Sequence, residues 1–164
     1  MRKATTTLLV LAALLLGGSP AFGHCQIPCG IYDDMMRIEM MRENVTTIER
    51  SIRGLADHAG KATALDANQT ARWVINKEEH ADQITDIVTA YFLQQRLKDP
   101  GADDEKARQA YVDQLTTLHG ILVATMQVKQ TADAAKAAEL RTLIDRFATL
   151  YFGPEAKEHA EAKH

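Results

Sequence analysis

The nine residues from His24 to Tyr32, HCQIPCGIY, contain both cysteines of the chain and a histidine. Two thiols and an imidazole within six residues form a candidate metal site. These three side chains alone leave a tetrahedral site one ligand short. Cys25 and Cys29 are also close enough in sequence to pair as a disulfide. The choice between a metal and a disulfide depends on what precedes the segment and on which other donors it supplies.

The segment follows a stretch that has the features of a cleaved export signal. Two basic residues open it, and the apolar run LLVLAALLL is too short to span a bilayer as a helix. Ala21 and Gly23 put small residues where a signal peptidase requires them. We therefore predict a signal peptide over residues 1–23, a mature chain that begins at His24, and a periplasmic or extracellular location. A retained membrane anchor is the alternative.

The charge of the mature chain excludes some classes of partner. Residues 1–23 carry two basic and no acidic residues, so their removal changes the formal net charge from −3 to −5. No basic patch of the kind that binds nucleic acid is visible, and an acidic chain is not attracted to anionic membranes. We predict no nucleic-acid partner and no membrane partner after removal of the leader. An exported chain normally oxidises its cysteines, so a disulfide is the main alternative to a metal.

The rest of the mature chain has a helical pattern, with apolar residues recurring at steps of three and four. The first helix begins at Asp33 or Asp34, a loop extends to Asn68, and further helices follow at about 70–97, 104–129 and 133–152. Four amphipathic helices with short connections predict an all-α fold, an antiparallel up-and-down four-helix bundle over residues 33–152. Residues 153–164 form a charged C-terminal tail.

The residues predicted to face the core form one stripe on each helix. They are Ile31, Met35, Ile38, Met41, Val45, Ile48, Ile52 and Leu55; Trp73, Lys77, His80, Ile84, Ile87 and Tyr91; Tyr111, Leu115, Leu118, Leu122 and Met126; and Ala137, Leu140, Ile144, Phe147 and Tyr151.

Cleavage before His24 creates a free α-amine, whose ordinary pKa of ~7.7–8 lets a metal displace its proton near neutral pH. The amine, the next amide nitrogen and the Cys25 thiolate can close fused chelate rings around one ion. The turn at Pro28-Cys29-Gly30 can bring the chain back so that the Cys29 thiolate becomes a fourth donor to the ion. The His24 imidazole can then approach the ion from an axial direction. Such a square-planar set favours Ni(II) or Cu(II) over zinc. Backbone nitrogens are therefore candidates for the missing ligands.

The pattern HCxxPCGxY at a mature N-terminus resembles the nickel hook of the nickel superoxide dismutases, a family of four-helix bundles that assemble as homohexamers. The resemblance implies one nickel ion per subunit. Its ligands would be His24 through amine and imidazole, Cys25 through amide nitrogen and thiolate, and Cys29 through thiolate. Tyr32 matches the tyrosine near the open face of the metal. We call residues 24–32 the hook.

The activity implied by this resemblance is the disproportionation of superoxide to dioxygen and hydrogen peroxide by Ni(III)/Ni(II) cycling. The substrate would be the superoxide anion, and the catalytic residues would be His24, Cys25, Cys29 and Tyr32. Protons for the peroxide would come from Tyr32, from water or from a coordinating thiol.

The family also has a glutamate hydrogen-bonded to the axial imidazole. Here Glu39, in the tripeptide Arg-Ile-Glu, matches it one residue nearer the hook. The family can place an arginine of the second helix against that group, and His80 aligns with it. The resemblance thus implies that Glu39 and His80 support the axial ligand. The alternative for His80 is a buried core histidine. Lys77 either contributes to an electropositive environment for the substrate or covers the edge of the core with its alkyl chain.

Two other classes of protein remain open from the sequence. One is a bundle that binds nickel or copper at the same hook without turnover. The other is an inert bundle capped by a disulfide between Cys25 and Cys29. Metal content measured together with superoxide turnover separates all three.

Overall fold

The computed structural model describes residues 30–153. The chain divides into two units, 1–31 and 32–164, and the helices of the described residues all belong to the second. Its helices are α1 (Asp34–His58), α2 (Ala64–Asp86), a π-helical segment (Ile87–Arg96) that continues α2, α3 (Glu105–Gln130) and α4 (Ala134–Phe152).

The helices form the predicted antiparallel four-helix bundle. Each helix packs against the one before it, and α4 packs against α1 to close the bundle. The connections are short, at residues 59–63, 97–104 and 131–133, so successive helices run in opposite directions. In the part of the chain that the structure describes, no helix is both long and apolar enough to cross a membrane.

Each α-helix starts where a side-chain oxygen accepts a hydrogen bond from a backbone N–H of the first turn, which satisfies an otherwise unpaired donor. The predicted starts of α1, α3 and α4 are therefore confirmed to within a residue. The predicted start of α2 near Thr70 is wrong, because Thr63 caps the helix and it begins at Ala64. The four capping residues are Asp33, Thr63, Asp104 and Asp133.

The predicted core stripe is confirmed along most of α1 and along α4, but it is wrong in the second half of α3. Met126 is 51% exposed, and Leu122 is only half-buried. Successive steps of four residues advance 40° more than a full turn each, so that stripe drifts off the core face. Ile31 is also wrong, because it precedes α1 and is exposed. The residues that face the core at the end of α3 are Ile121, Ala124, Thr125 and Val128.

Helices α1 and α2 approach closely where Trp73 lies across Gly54. A Cβ at Gly54 would overlap the indole ring. Gly54 is buried, and the half-buried indole ring would have to move away from α1 to admit the methyl group. Glycine is therefore needed here for close packing rather than for a special backbone conformation.

We predict opposite effects for two glycine-to-alanine substitutions within helices. Gly54→Ala should lower the free energy of unfolding by about 1–3 kcal/mol, the usual cost of an overpacked core. Gly120→Ala in α3 should raise it by about 0.5–1 kcal/mol, because alanine is the better helix former. Its new methyl group would meet only Leu143, at 3.6 Å from Cδ2. Urea unfolding followed by circular dichroism measures both, and changes of the same sign would contradict the packing argument.

Candidate metal centre

The three predicted metal ligands, His24, Cys25 and Cys29, lie outside the described residues. Of the hook, the structure describes Gly30 and Ile31 and, in the second unit, Tyr32 and the side chains that Tyr32 contacts. Among residues 30–153, no group of three or more His, Cys, Asp or Glu side chains could hold a metal ion. That part of the chain offers no competing metal site.

Gly30, which follows Cys29 in the hook, adopts a φ of +79°. This is the left-handed region of backbone conformation, which glycine enters without the steric cost that a Cβ imposes. No atom lies within 4 Å of the position that a Cβ would occupy. The motif therefore needs glycine at this position for its backbone conformation and not to avoid a clash with neighbouring atoms.

The donor set encoded by the hook fits nickel. The predicted donors are the amine and imidazole of His24, the amide nitrogen and thiolate of Cys25 and the thiolate of Cys29, which would supply nitrogen and thiolate ligands together. A donor set that includes amine and amide nitrogens suits Ni(II) or Cu(II) and is a poor match for the tetrahedral preference of zinc.

Tyr32, the last residue of the hook motif, packs against the π-helical segment. Its ring meets that of Tyr91 edge-to-face, with centroids 5.8 Å apart. The guanidinium of Arg96 lies 4.4 Å from the Tyr32 ring centroid, within the range of a cation–π interaction. The Tyr32 hydroxyl donates to Oε1 of Gln95 at 3.4 Å. Three side chains of one segment therefore hold a ring that is still 38% exposed.

A single carboxylate, that of Asp34, anchors this end of the bundle. Arg96 donates to both of its oxygens, from Nε at 2.7 Å and from Nη2 at 2.6 Å. The hydroxyls of Tyr91 and Tyr151 donate to it at 2.5 and 2.8 Å. Asp34 thus joins the first turn of α1 to the π-helical segment and to the last turn of α4. We call these four residues the Asp34 cluster.

The hydrogen bonds of the Asp34 cluster change the pKa values of its members. Burial alone would raise the pKa of Asp34, but the hydrogen bonds from Arg96, Tyr91 and Tyr151 outweigh it and leave that pKa below its ordinary value. Burial and the hydrogen bond to Asp34 raise the pKa of Tyr91, and the same causes raise that of Tyr151 to about 12. Asp34 is therefore an anion at neutral pH, and both tyrosines keep their protons.

The π-helical segment is what brings Tyr91 and Arg96 to the same carboxylate. They are five residues apart, and in an α-helix that spacing would turn them about 140° away from each other. In a π-helix the repeat of hydrogen bonding is itself five residues, so the two side chains share a face. Leu97 N–H donates to the carbonyl of Phe92 at 2.9 Å with the same spacing. The sequence carried no signal for this segment, nor for the role of Arg96.

Glu39 and His80, predicted to support the axial ligand, have other partners in the bundle. Oε1 of Glu39 accepts from Arg42 at 2.6 Å, and Nδ1 of His80 lies 2.6 Å from Oδ1 of the buried Asn44. Among the hydrogen bonds of residues 30–153, none joins Glu39 to His80. A role for the two residues behind the His24 imidazole stays a prediction.

Lys77 is buried and caps the C-terminal end of α3. Its Nζ donates to the carbonyls of Val128, Lys129 and Thr131 at 2.7, 2.8 and 2.6 Å. The carbonyls of Val128 and Lys129 lie in the last turn of α3, where carbonyls lack partners within the helix and carry the negative end of its dipole, and Thr131 is the C-cap. Burial lowers the pKa of Lys77. Its ammonium is engaged in the core and is not available to attract a substrate anion.

A comparison with protein families identifies the chain. The family model of nickel-containing superoxide dismutases matches residues 19–155. No curated protein and no solved structure matched the chain. Because the match covers most of its length, the chain belongs to the nickel-containing superoxide dismutases. It is an oxidoreductase that disproportionates superoxide and uses one nickel ion per subunit. The predicted family and activity are confirmed, and a bundle without turnover is not favoured.

We predict that Asp34→Asn removes part of the acid sensitivity of the fold. With a folded-state pKa below 3.8, the Asp34 carboxylate contributes stability that is present above about pH 4 and is lost as pH falls through that lower value. Asparagine cannot make this contribution at any pH. The difference in unfolding free energy between wild type and variant should therefore shrink on going from neutral to strongly acidic pH. Urea unfolding at a series of pH values measures it, and a difference independent of pH would contradict the assignment.

Proposed function

We propose that the nickel ion is held by the first residues of a trimmed chain. His24 would bind through its amine and imidazole, Cys25 through its amide nitrogen and thiolate, and Cys29 through its thiolate. The observation that carries this proposal is the family match, whose range includes the whole motif HCxxPCGxY. The absence of another metal-binding group among residues 30–153 supports it.

The overall reaction combines two superoxide anions and two protons into one dioxygen and one hydrogen peroxide. Held by His24, Cys25 and Cys29, nickel would supply the one-electron redox chemistry that this reaction needs, with Ni(III) and Ni(II) as its two oxidation states. The chain must hold the ion, admit the anion and deliver two protons.

Of Tyr32, Tyr91 and Tyr151, Tyr32 is the best placed to deliver protons. The hydroxyls of Tyr91 and Tyr151 both donate hydrogen bonds to Asp34, so their protons are not available to a substrate. The hydroxyl of Tyr32 makes only a 3.4 Å hydrogen bond with Gln95, and its ring is partly exposed. The Tyr32 hydroxyl can therefore hydrogen-bond to water or to the peroxide product.

Arg37 supplies positive charge beside the same tyrosines. Its guanidinium lies 5.1 Å from the centroid of the Tyr91 ring. Among the described residues, no carboxylate forms an ion pair with it, whereas the charge of Arg96 is balanced by Asp34. An unbalanced cation on an otherwise acidic chain is positioned to draw an anionic substrate to this end of the bundle.

Export and assembly complete the proposal. Residues 1–23 would be removed on transfer to the periplasm or the exterior, and the mature chain would form a homohexamer without nucleic-acid or membrane partners. The leader pattern supports the first step. The exposed apolar neighbours Val74 and Ile75 on α2 support the second, because adjacent exposed apolar groups are often covered in an assembly.

Loss of either cysteine should abolish turnover without unfolding the bundle. Cys25→Ser or Cys29→Ser removes a thiolate ligand but no side chain of the core in α1 to α4. Circular dichroism should match wild type, while nickel-dependent consumption of superoxide should fall to background. Turnover retained in either variant would rule out the assigned ligands.

The free amine of His24 should be required as well. Before cleavage its nitrogen is an amide, which must lose a far less acidic proton before it can bind a metal. We expect a chain with one added alanine before His24 to fold but to remain inactive when loaded with nickel. Removing that alanine with an aminopeptidase should restore superoxide consumption in the same preparation. An extended chain as active per nickel as the trimmed one would refute the amine as a ligand.

A further inference from the structure

Arg96 makes two contacts that together connect the hook motif to the bundle. Its guanidinium lies over the ring of Tyr32 at 4.4 Å from the centroid. The same group is fixed by two hydrogen bonds, at 2.7 and 2.6 Å, to the carboxylate of Asp34. A bidentate pair of this type fixes the plane of the guanidinium as well as its position. The orientation of the surface on which Tyr32 rests is thus set by Asp34.

Of the two remaining contacts of Tyr32, one is held by the same carboxylate and the other by a backbone carbonyl. Tyr91, which meets the edge of the Tyr32 ring, is held by its hydroxyl on Asp34. Gln95, which accepts from the Tyr32 hydroxyl, is buried, and its Nε2 donates to the carbonyl of Ala90 at 2.7 Å. A side chain locked by such supports keeps one rotamer, and precise sites are built on supports of this kind.

We propose that Asp34 and Arg96 are positioning residues of the metal centre: Asp34 holds Arg96, and Arg96 holds Tyr32, from which the hook leaves the bundle. Tyr32 follows Cys29 by three residues, so fixing Tyr32 limits the positions open to the hook. The inference rests on the proposed function for its effect on nickel. The effect inferred for Tyr32 is independent of the proposed function, because it can be measured in metal-free protein.

The test compares three variants of the trimmed full-length mature chain. Arg96→Gln removes the cation and the bidentate pair but leaves Asp34 its two tyrosine donors. Arg96→Lys keeps the charge without the planar fork. Arg141→Gln is the matched control, because Arg141 makes a bidentate pair with Glu49 at 3.1 Å that also joins two helices, α4 and α1. Circular dichroism establishes that each variant is folded.

The first measurement uses metal-free protein with isotope-labelled tyrosine rings. The Tyr32 resonance is assigned by its loss in Tyr32→Phe. In Arg96→Gln it should move towards the position of a free tyrosine, because the ring loses the cation on its face. In Arg96→Lys it should move part of the way, and in Arg141→Gln it should not move.

The second measurement uses the nickel-loaded proteins. Arg96→Gln should change the electron-spin resonance signal of the oxidised metal and lower turnover per nickel by about 10-fold, the lower end of the usual effect of residues behind metal ligands. Arg96→Lys should lie between this variant and wild type. Arg141→Gln should keep both the signal and the rate of wild type. A loss of bundle stability alone would alter neither the signal nor the rate per nickel of folded protein.

The outcomes separate the inference from the proposed function. Wild type without nickel-dependent turnover would overturn the proposed function and the effect on nickel inferred from it. Wild-type turnover, with a Tyr32 resonance that Arg96→Gln leaves in place, would overturn the positioning role alone. So would a displaced Tyr32 resonance accompanied by an unchanged spin signal and rate. If Arg96→Gln does not fold, the same comparisons are decided by Arg96→Lys.

Discussion

The carboxylate of Asp34 is the point on which one end of the described structure depends. It accepts hydrogen bonds from Arg96 and from two tyrosine hydroxyls, and these donors come from parts of the chain far apart in sequence. Four donors compensate the cost of partly burying the charge. Because the last turn of α4 and the π-helical segment both converge on Asp34, the start of α1 is fixed where the chain arrives from the hook. Tyr32 packs on the surface that results.

The bundle and the end of the chain have different roles in the enzyme. The bundle supplies a rigid surface, held by an apolar core and by the buried Lys77 at the end of α3. The metal donors, in our proposal, come from consecutive residues at the end of the chain, where a free amine is chemically available. The interior of a helix has no terminal amine and its amide N–H groups are already hydrogen-bonded, so a site of this kind needs an end of the chain. The bundle then has to hold that end through side chains such as Tyr32.

The features that depend on residues close together in the sequence could be predicted from it. The hook motif is contiguous, the capping aspartates stand directly before their helices, and the stripe of α1 has a regular period, so motif, starts and core face could all be predicted. The Asp34 cluster could not, because Asp34 and Arg96 are 62 positions apart. The π-helical segment could not either, because its composition is that of an α-helix and only its hydrogen-bond spacing differs. The burial of Lys77 depends on carbonyls from a different helix, which no pattern around residue 77 reveals.

The central claim is that nickel is bound by the terminus that cleavage before His24 creates. The most direct test is to determine the N-terminal residue and the nickel content of the same purified mature protein. The account predicts a chain that begins at His24 and carries about one nickel ion per subunit, as the family implies. Mature protein that retains residues before His24 and still contains a full complement of nickel would contradict it.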